Sequence, residues 1–210
     1  EDVLEKVNRG EVRLLVGTQI LTKGHHFPQV TLVVVLNADQ GLFGTDFRAS
    51  ERLAQSIVQV AGRAGRAERP GEVLIQTEYP EHPLLAQLVQ GGHDAFASAA
   101  LEERREARWP PFARIAVLRA EATERDAPLR FLDSARAAAE NLRPNGVELL
   151  GPAPAPMERR AGHYRAQLLL HAPAHSQLQR LFMRWLPAVE NLPEARKVRW
   201  SLDVDPLELF

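Results

Sequence analysis

The sequence predicts an α/β protein in two parts: half of a doubly wound, parallel-sheet domain, then an α+β domain with the element order βαββαβ. Three observations carry this expectation. Apolar runs such as Leu32-Val33-Val34-Val35-Leu36 lack polar alternation, as strands covered on both faces of a parallel sheet do. A helical stretch bracketed by Pro80, Pro83, Pro110 and Pro111 separates two regions of different pattern. Beyond it lie strands and helices in the order of two split βαβ halves, which form an antiparallel sheet with both helices on one face.

Taken in order, the first part has short runs that read as strands at Val12 to Val16 and Thr31 to Leu36, a helix over Arg48 to Ala61 and another strand over Glu72 to Thr77. Residues 82 to 108 read as helix, broken in two by Gly91-Gly92. After Pro111 come a strand over 112 to 120, a helix from 126 to 142 ended by Pro144-Asn145-Gly146, and a strand near 147 to 151. A proline-rich connection, a strand over 165 to 171, a helix over 176 to 190 and a last strand near 197 to 204 complete the chain. The expected domains are residues 1–80, a helical linker over 81–111, and residues 112–210.

With 210 residues there is room for one large domain or two of about 100 residues each. A hydrophobic content of 45% and a charged content of 25% are those of an ordinary globular protein. The formal charge of −1 carries no global nucleic-acid signature, so any such binding rests on local patches. The chain has no cysteine, which excludes a disulfide scaffold and a thiolate-ligated metal within it. The longest apolar stretch, Val30 to Leu36, is too short to span a bilayer, and the acidic start Glu-Asp-Val-Leu-Glu is not a signal peptide. A soluble, cytoplasmic protein with no membrane partner is expected.

Two motifs carry chemistry in the first part. Gly17-Thr18-Gln19 follows the apolar run Leu14-Leu15-Val16, and Lys23-Gly24-His25-His26-Phe27-Pro28 lies just beyond. A small turn at the carboxyl end of a strand offers backbone N–H groups and a hydroxyl where open α/β sheets bind ligands, which suits a phosphate; it also suits a plain structural turn. The octet Gln59-Val-Ala-Gly-Arg63-Ala-Gly-Arg66 places two arginines three apart, each preceded by glycine. Such a pair can clamp a γ-phosphate, because glycine lets the backbone approach closely; the alternative is a basic loop favoured by a helix C-terminus.

In the second part, Glu158-Arg159-Arg160-Ala161-Gly162-His163-Tyr164-Arg165 reads as a hairpin between strands. Arg159, Arg160 and Arg165 around Tyr164 would bind phosphates by charge and stack a base on the ring, or form a solvated tip. His171 and His175 have an i, i+4 spacing, but Pro173 lies between them and no third ligand is near, so no metal site is expected. Asp203 and Asp205 alternate onto one strand face, either answering arginines of another domain or edging into solvent. Trp109, Trp185 and Trp200 are expected in packing roles.

Taken together, Gly-Thr-Gln-Ile-Leu-Thr-Lys-Gly-His-His-Phe-Pro resembles motif V, and Gln-Val-Ala-Gly-Arg-Ala-Gly-Arg motif VI, of superfamily 2 helicases. The stretch Asp46 to Arg52, Glu81-His-Pro-Leu-Leu and the segment Lys197 to Pro206 narrow the resemblance to the PriA family of primosomal replication-restart DNA helicases. It covers essentially the whole chain. It implies a partial RecA-like second helicase lobe followed by a C-terminal DNA- and partner-binding domain, within a 3′ to 5′ helicase that recognises stalled or repaired forks and initiates primosome assembly.

Residue by residue, the resemblance makes Arg66 the arginine finger, Arg63 its companion phosphate contact and Gln59 the opening residue of motif VI. Gly24 faces the nucleotide cleft, and Gly17 and Thr18 lie near the DNA backbone. It implies ATP and Mg²⁺ shared with a first lobe, and zinc in a cysteine-rich insert upstream. The implied partners are forked and single-stranded DNA, the acidic tail of single-strand DNA-binding protein, and other primosome proteins, with nucleoid association. Gln167 matches the tail-binding surface; four positions earlier this chain has His163 where the family can present arginine, which leaves Arg165 as the substitute. The sequence contains no Gly-x-x-x-x-Gly-Lys-Ser/Thr loop and no Walker B Asp-Glu pair after a buried strand. It is therefore expected to be a C-terminal piece, inactive as an ATPase when isolated. A motor-silent scaffold for forks and single-strand-binding protein is the alternative.

Overall fold

The computed structural model describes residues 3–9, 11–17, 30–44, 46–62 and 71–209. The chain divides into two compact units, Glu1–Glu103 and Arg104–Phe210.

The first unit contains α1 (Val3–Asn8), β1 (Leu32–Val35), α2 (Asp39–Leu42), α3 (Ala49–Ala61) and β2 (Glu72–Ile75), and it takes in most of α4 (Pro83–Glu106). β1 and β2 pair in parallel, Leu32 opposite Glu72 and Val35 opposite Ile75. Asp46 sets the start of α3: its carboxylate accepts the Arg48 backbone N–H at 2.8 Å and pairs with the Arg52 guanidinium at 3.0 Å. α3 then buries Ala54 and Ile57 in a cluster with Leu84, Leu85, Leu88, Phe96 and Ala100 of α4, and Val35 and Ile75 pack against it. Much of the segment expected as linker thus supplies core. α4 is broken at Gly92, whose φ of 71° no helix continues through, where the sequence places its glycine pair.

Two expectations for this unit are corrected. Residues 12–16 form no strand, and Leu14 and Val16 are each 79% exposed. An apolar run becomes a strand only with a paired neighbour, and among the described residues the ladder is β1 with β2. The unbroken run of β1 also predicts cover on both faces, yet Leu32, Val34 and Leu74 are 49%, 48% and 47% exposed. Among the described residues the packing elements lie on one side only, so burial alternates along both strands.

The second unit follows the order β3 (Arg114–Ala122), α5 (Ala127–Asn141), β4 (Glu148–Arg160), β5 (His163–Ala172), α6 (His175–Glu190), a short 3₁₀ turn (Pro193–Lys197) and β6 (Arg199–Val204). The sheet is antiparallel with strand order β4-β5-β3-β6. One sheet face carries Leu118, Ala120, Leu168 and Leu170, which pack with Phe131 and Leu132 of α5 and Leu178, Trp185 and Val189 of α6. The Trp185 indole N–H donates to the Ala135 carbonyl at 2.7 Å, tying the two helices together inside the core.

The proline-rich segment expected as a connection lies within β4. Its pairing with β5 shifts register between Leu150 and Ala153 and again between Pro154 and Arg159. Prolines lack the N–H that a central strand must donate, and β4 is an edge strand, which spares them that requirement. Gly151 sits at the first shift with φ of 100°, where an added Cβ would lie 3.2 Å from the Gln167 carbonyl oxygen.

Candidate functional site

Of the residues matched to the motor motifs, Thr18, Gly24, Arg63 and Arg66 lie outside the described residues. Gly17 is exposed at the end of the segment 11–17, and Gln59 is exposed on the last turn of α3. The carboxyl ends of β1 and β2, where parallel sheets present ligand sites, are joined through Asp39. Its carboxylate accepts from the Thr77 hydroxyl and, at 2.9 Å, from the Glu78 backbone N–H. Phe43 packs edge-on against Tyr79 and His82, with ring centroids 4.7 and 5.5 Å away.

The basic segment of the second unit is a two-residue hairpin. Ala161 (φ 49°) and Gly162 (φ 82°) form the turn, both positive as a type I′ turn requires, with Arg160 paired to His163 and Arg159 to Tyr164. Directly paired residues share a face, so the candidate residues divide. Arg159 places its guanidinium carbon 5.3 Å from the Tyr164 ring centroid on one face. Arg160, His163, Arg165 and Gln167 fall on the other, by the alternation of β5. Glu158, next to the tip, pairs with Arg125 at 3.2 Å.

That second face is the one the helices do not cover. Across it, Arg165 of β5, Glu121 of β3 and Arg199 of β6 form one row, and Gln167, Arg119 and Ser201 the next. Together they line a groove of ≈ 260 Å³. Arg199 reaches Glu121 at 3.5 Å, while Arg119 is held by Asp203 at 2.8 Å and by the Glu208 backbone carbonyl at 2.6 Å. Among the described residues Arg165 has no ion pair.

Arg119, Glu121 and Arg199 were not singled out from the sequence, although polar residues at every second position of 119–121 and 199–203 marked them as one-faced. Asp203 meets an arginine of the adjoining strand of its own unit, not one of another domain or solvent alone. Asp205 lies beyond β6 with φ of 51°, and its N–H donates to the Ile115 carbonyl at 2.9 Å.

His171 is buried, with Nε2 2.7 Å from the Arg108 carbonyl oxygen and Nδ1 3.4 Å from Glu148, while His175 is exposed at the start of α6. Among the described residues no group of three or more His, Asp or Glu side chains is placed to hold a metal ion. Among those residues, too, no helix is long and apolar enough to cross a membrane.

Comparison with known proteins places these units. Residues 1–68 match the family profile described as "Helicase conserved C-terminal domain", and residues 105–207 that described as "Primosomal protein N C-terminal domain". Over 209 residues, 100% of this chain, the sequence is 46% identical to the replication restart protein PriA of Haemophilus influenzae. The chain belongs to the PriA family. It is also 38% identical to the PriA of Synechocystis and 34% identical to that of Bacillus subtilis, over 99% and 98% of its length. It spans 28%, 24% and 26% of these three PriA proteins. The second profile begins one residue after the start of the Arg104–Phe210 unit, so a PriA sequence module and a compact structural unit coincide.

Proposed function

We propose that the chain is the C-terminal portion of an ATP-driven 3′ to 5′ DNA helicase that acts at stalled or repaired replication forks and initiates primosome assembly. The observation that carries this is the ordered pair of profile matches, helicase C-terminal domain followed by primosomal C-terminal domain, within a whole-length likeness to replication restart proteins. In this reading residues 1–80 belong to the second RecA-like lobe. ATP and Mg²⁺ bind between that lobe and one encoded upstream, Arg66 and Arg63 meet the phosphates from this side, Gln59 and Gly24 line the cleft, and Gly17 and Thr18 touch the DNA backbone. Zinc belongs to an upstream cysteine-rich insert, since this chain has no cysteine. The C-terminal domain engages forked and single-stranded DNA through its basic hairpin, and the acidic tail of single-strand-binding protein through Gln167 and Arg165.

An arginine finger acts on phosphates held elsewhere, and in related phosphoryl-transfer systems it is worth about 10³ to 10⁵ in rate. The isolated chain is accordingly expected to show no DNA-stimulated ATP hydrolysis. The same chain joined to its upstream lobe hydrolyses ATP, and Arg66→Ala removes at least about 10³ of that rate. Robust turnover by the isolated chain overturns the assignment. A motor-silent scaffold is the second reading, favoured by the basic hairpin and the arginine-lined groove of the Arg104–Phe210 unit. It requires that the joined protein bind forks without hydrolysing ATP.

A further inference from the structure

The groove on the uncovered sheet face holds four charged side chains that differ in how firmly they are engaged. Arg119 is fixed: its side chain is 24% exposed and it donates both to Asp203 and to the Glu208 carbonyl. Arg199 is loosely engaged, with its side chain 82% exposed and Glu121 3.5 Å away. Arg165 lines the same groove, in the same register row, with no ion pair among the described residues. Glu121 thus stands between two arginines, one strand spacing from each, and satisfies one of them loosely. An exposed pair of this kind is worth little, so a better-placed anion exchanges for it readily.

We infer that Glu121 is an internal stand-in for a ligand carboxylate: it holds Arg199 until the free carboxyl end of an acidic peptide binds on Arg165 and Gln167, and Arg199 then turns to that peptide. This rests on the proposal that the domain takes an acidic protein tail, and it assigns to that site a second cation and a built-in competitor. The lining carries a net positive charge through Arg119, Arg165 and Arg199 against Glu121, which is complementary to an anion. A volume of ≈ 260 Å³ has room for one or two residues of a chain end. The one aromatic residue of the lining, Trp200, packs its ring toward Phe131 in the core, with centroids 5.9 Å apart, and offers bases no stacking platform. Gln167 and Ser201 supply the neutral hydrogen-bonding groups that a peptide backbone needs.

The test titrates the full chain into a fluorescent acidic decapeptide with a free C-terminal carboxylate, its amidated counterpart and a single-stranded oligonucleotide, reading anisotropy at low and moderate salt. Arg165→Ala and Arg199→Ala are each expected to weaken binding of the free-acid peptide about tenfold, and Glu121→Gln to tighten it about threefold, with the amidated peptide bound more weakly by all. Far-UV circular dichroism of each variant, matching the parent, establishes that these surface changes leave the fold intact. If the parent binds the peptide but Glu121→Gln and Arg199→Ala leave affinity unchanged, the stand-in is refuted while tail binding survives. If the parent binds no peptide, tail binding itself fails. If Glu121→Gln tightens only the oligonucleotide, the groove belongs to nucleic acid and the inference is overturned.

Discussion

Trp185 has no exposed surface and makes one specific hydrogen bond, to the Ala135 carbonyl, so one side chain fills the core and joins α6 to α5. Trp185→Ala is expected to cost about 3–5 kcal/mol, because the surrounding helices cannot collapse into the space of an indole. Trp185→Phe keeps most of the volume and loses the N–H, and should cost about 1–2 kcal/mol. Urea unfolding followed by far-UV circular dichroism checks both; a loss for Trp185→Ala no larger than for Trp185→Phe would show that the hydrogen bond and not the volume dominates. Its packing role was legible from residue type alone, and its partner was not, since Ala135 is 50 residues away. The same holds for Arg119, whose strand alternation gives a face but whose two anchors, Asp203 and Glu208, come from the far end of the chain.

At the scale of elements, the hairpin of β4 and β5 shows what pairing adds to a motif. Four candidate residues adjacent in sequence separate onto two faces, Arg159 with Tyr164 on one and Arg160 with Arg165 on the other. Changing Arg159 and Arg160 to Ala should lower DNA affinity and flatten its salt dependence by roughly one unit of slope per lost phosphate contact. An unchanged slope assigns the tip to solvent. The single variants then tell which face meets the phosphates, because each removes a cation from one face only. The helices and the βαββαβ order were readable because their apolar periodicity reflects the face they bury. The proline-rich run was misread because proline disfavours a strand in general, and only the strand order shows that this one is an edge.

The whole molecule comprises two units with separate apolar clusters. The Arg104–Phe210 core includes the fully buried Phe131, Leu132, Leu168, Leu170, Leu178 and Trp185, whereas the described part of the first unit leaves Leu32, Val34 and Leu74 about half exposed. The first unit is therefore expected to unfold at lower denaturant. All three tryptophans lie at or beyond residue 109, so their fluorescence reports the second unit alone. Circular dichroism, which sees both, should begin its transition before the fluorescence does; coincident curves would show one cooperative unit. Family membership was legible at this scale, in the order of the motor motifs and the terminal segment, and the comparisons bear it out.

By itself the sequence determined the two kinds of secondary-structure pattern, the βαββαβ order and the likeness to replication-restart helicases, because periodicity and short motifs are local properties of a chain. Tertiary structure alone decided that residues 12–16 stay out of the described sheet, that a run of prolines is an edge strand, and that Arg165, Glu121 and Arg199 form one row across three strands. Such neighbours are set by register between distant strands, and register depends on which faces the whole domain buries.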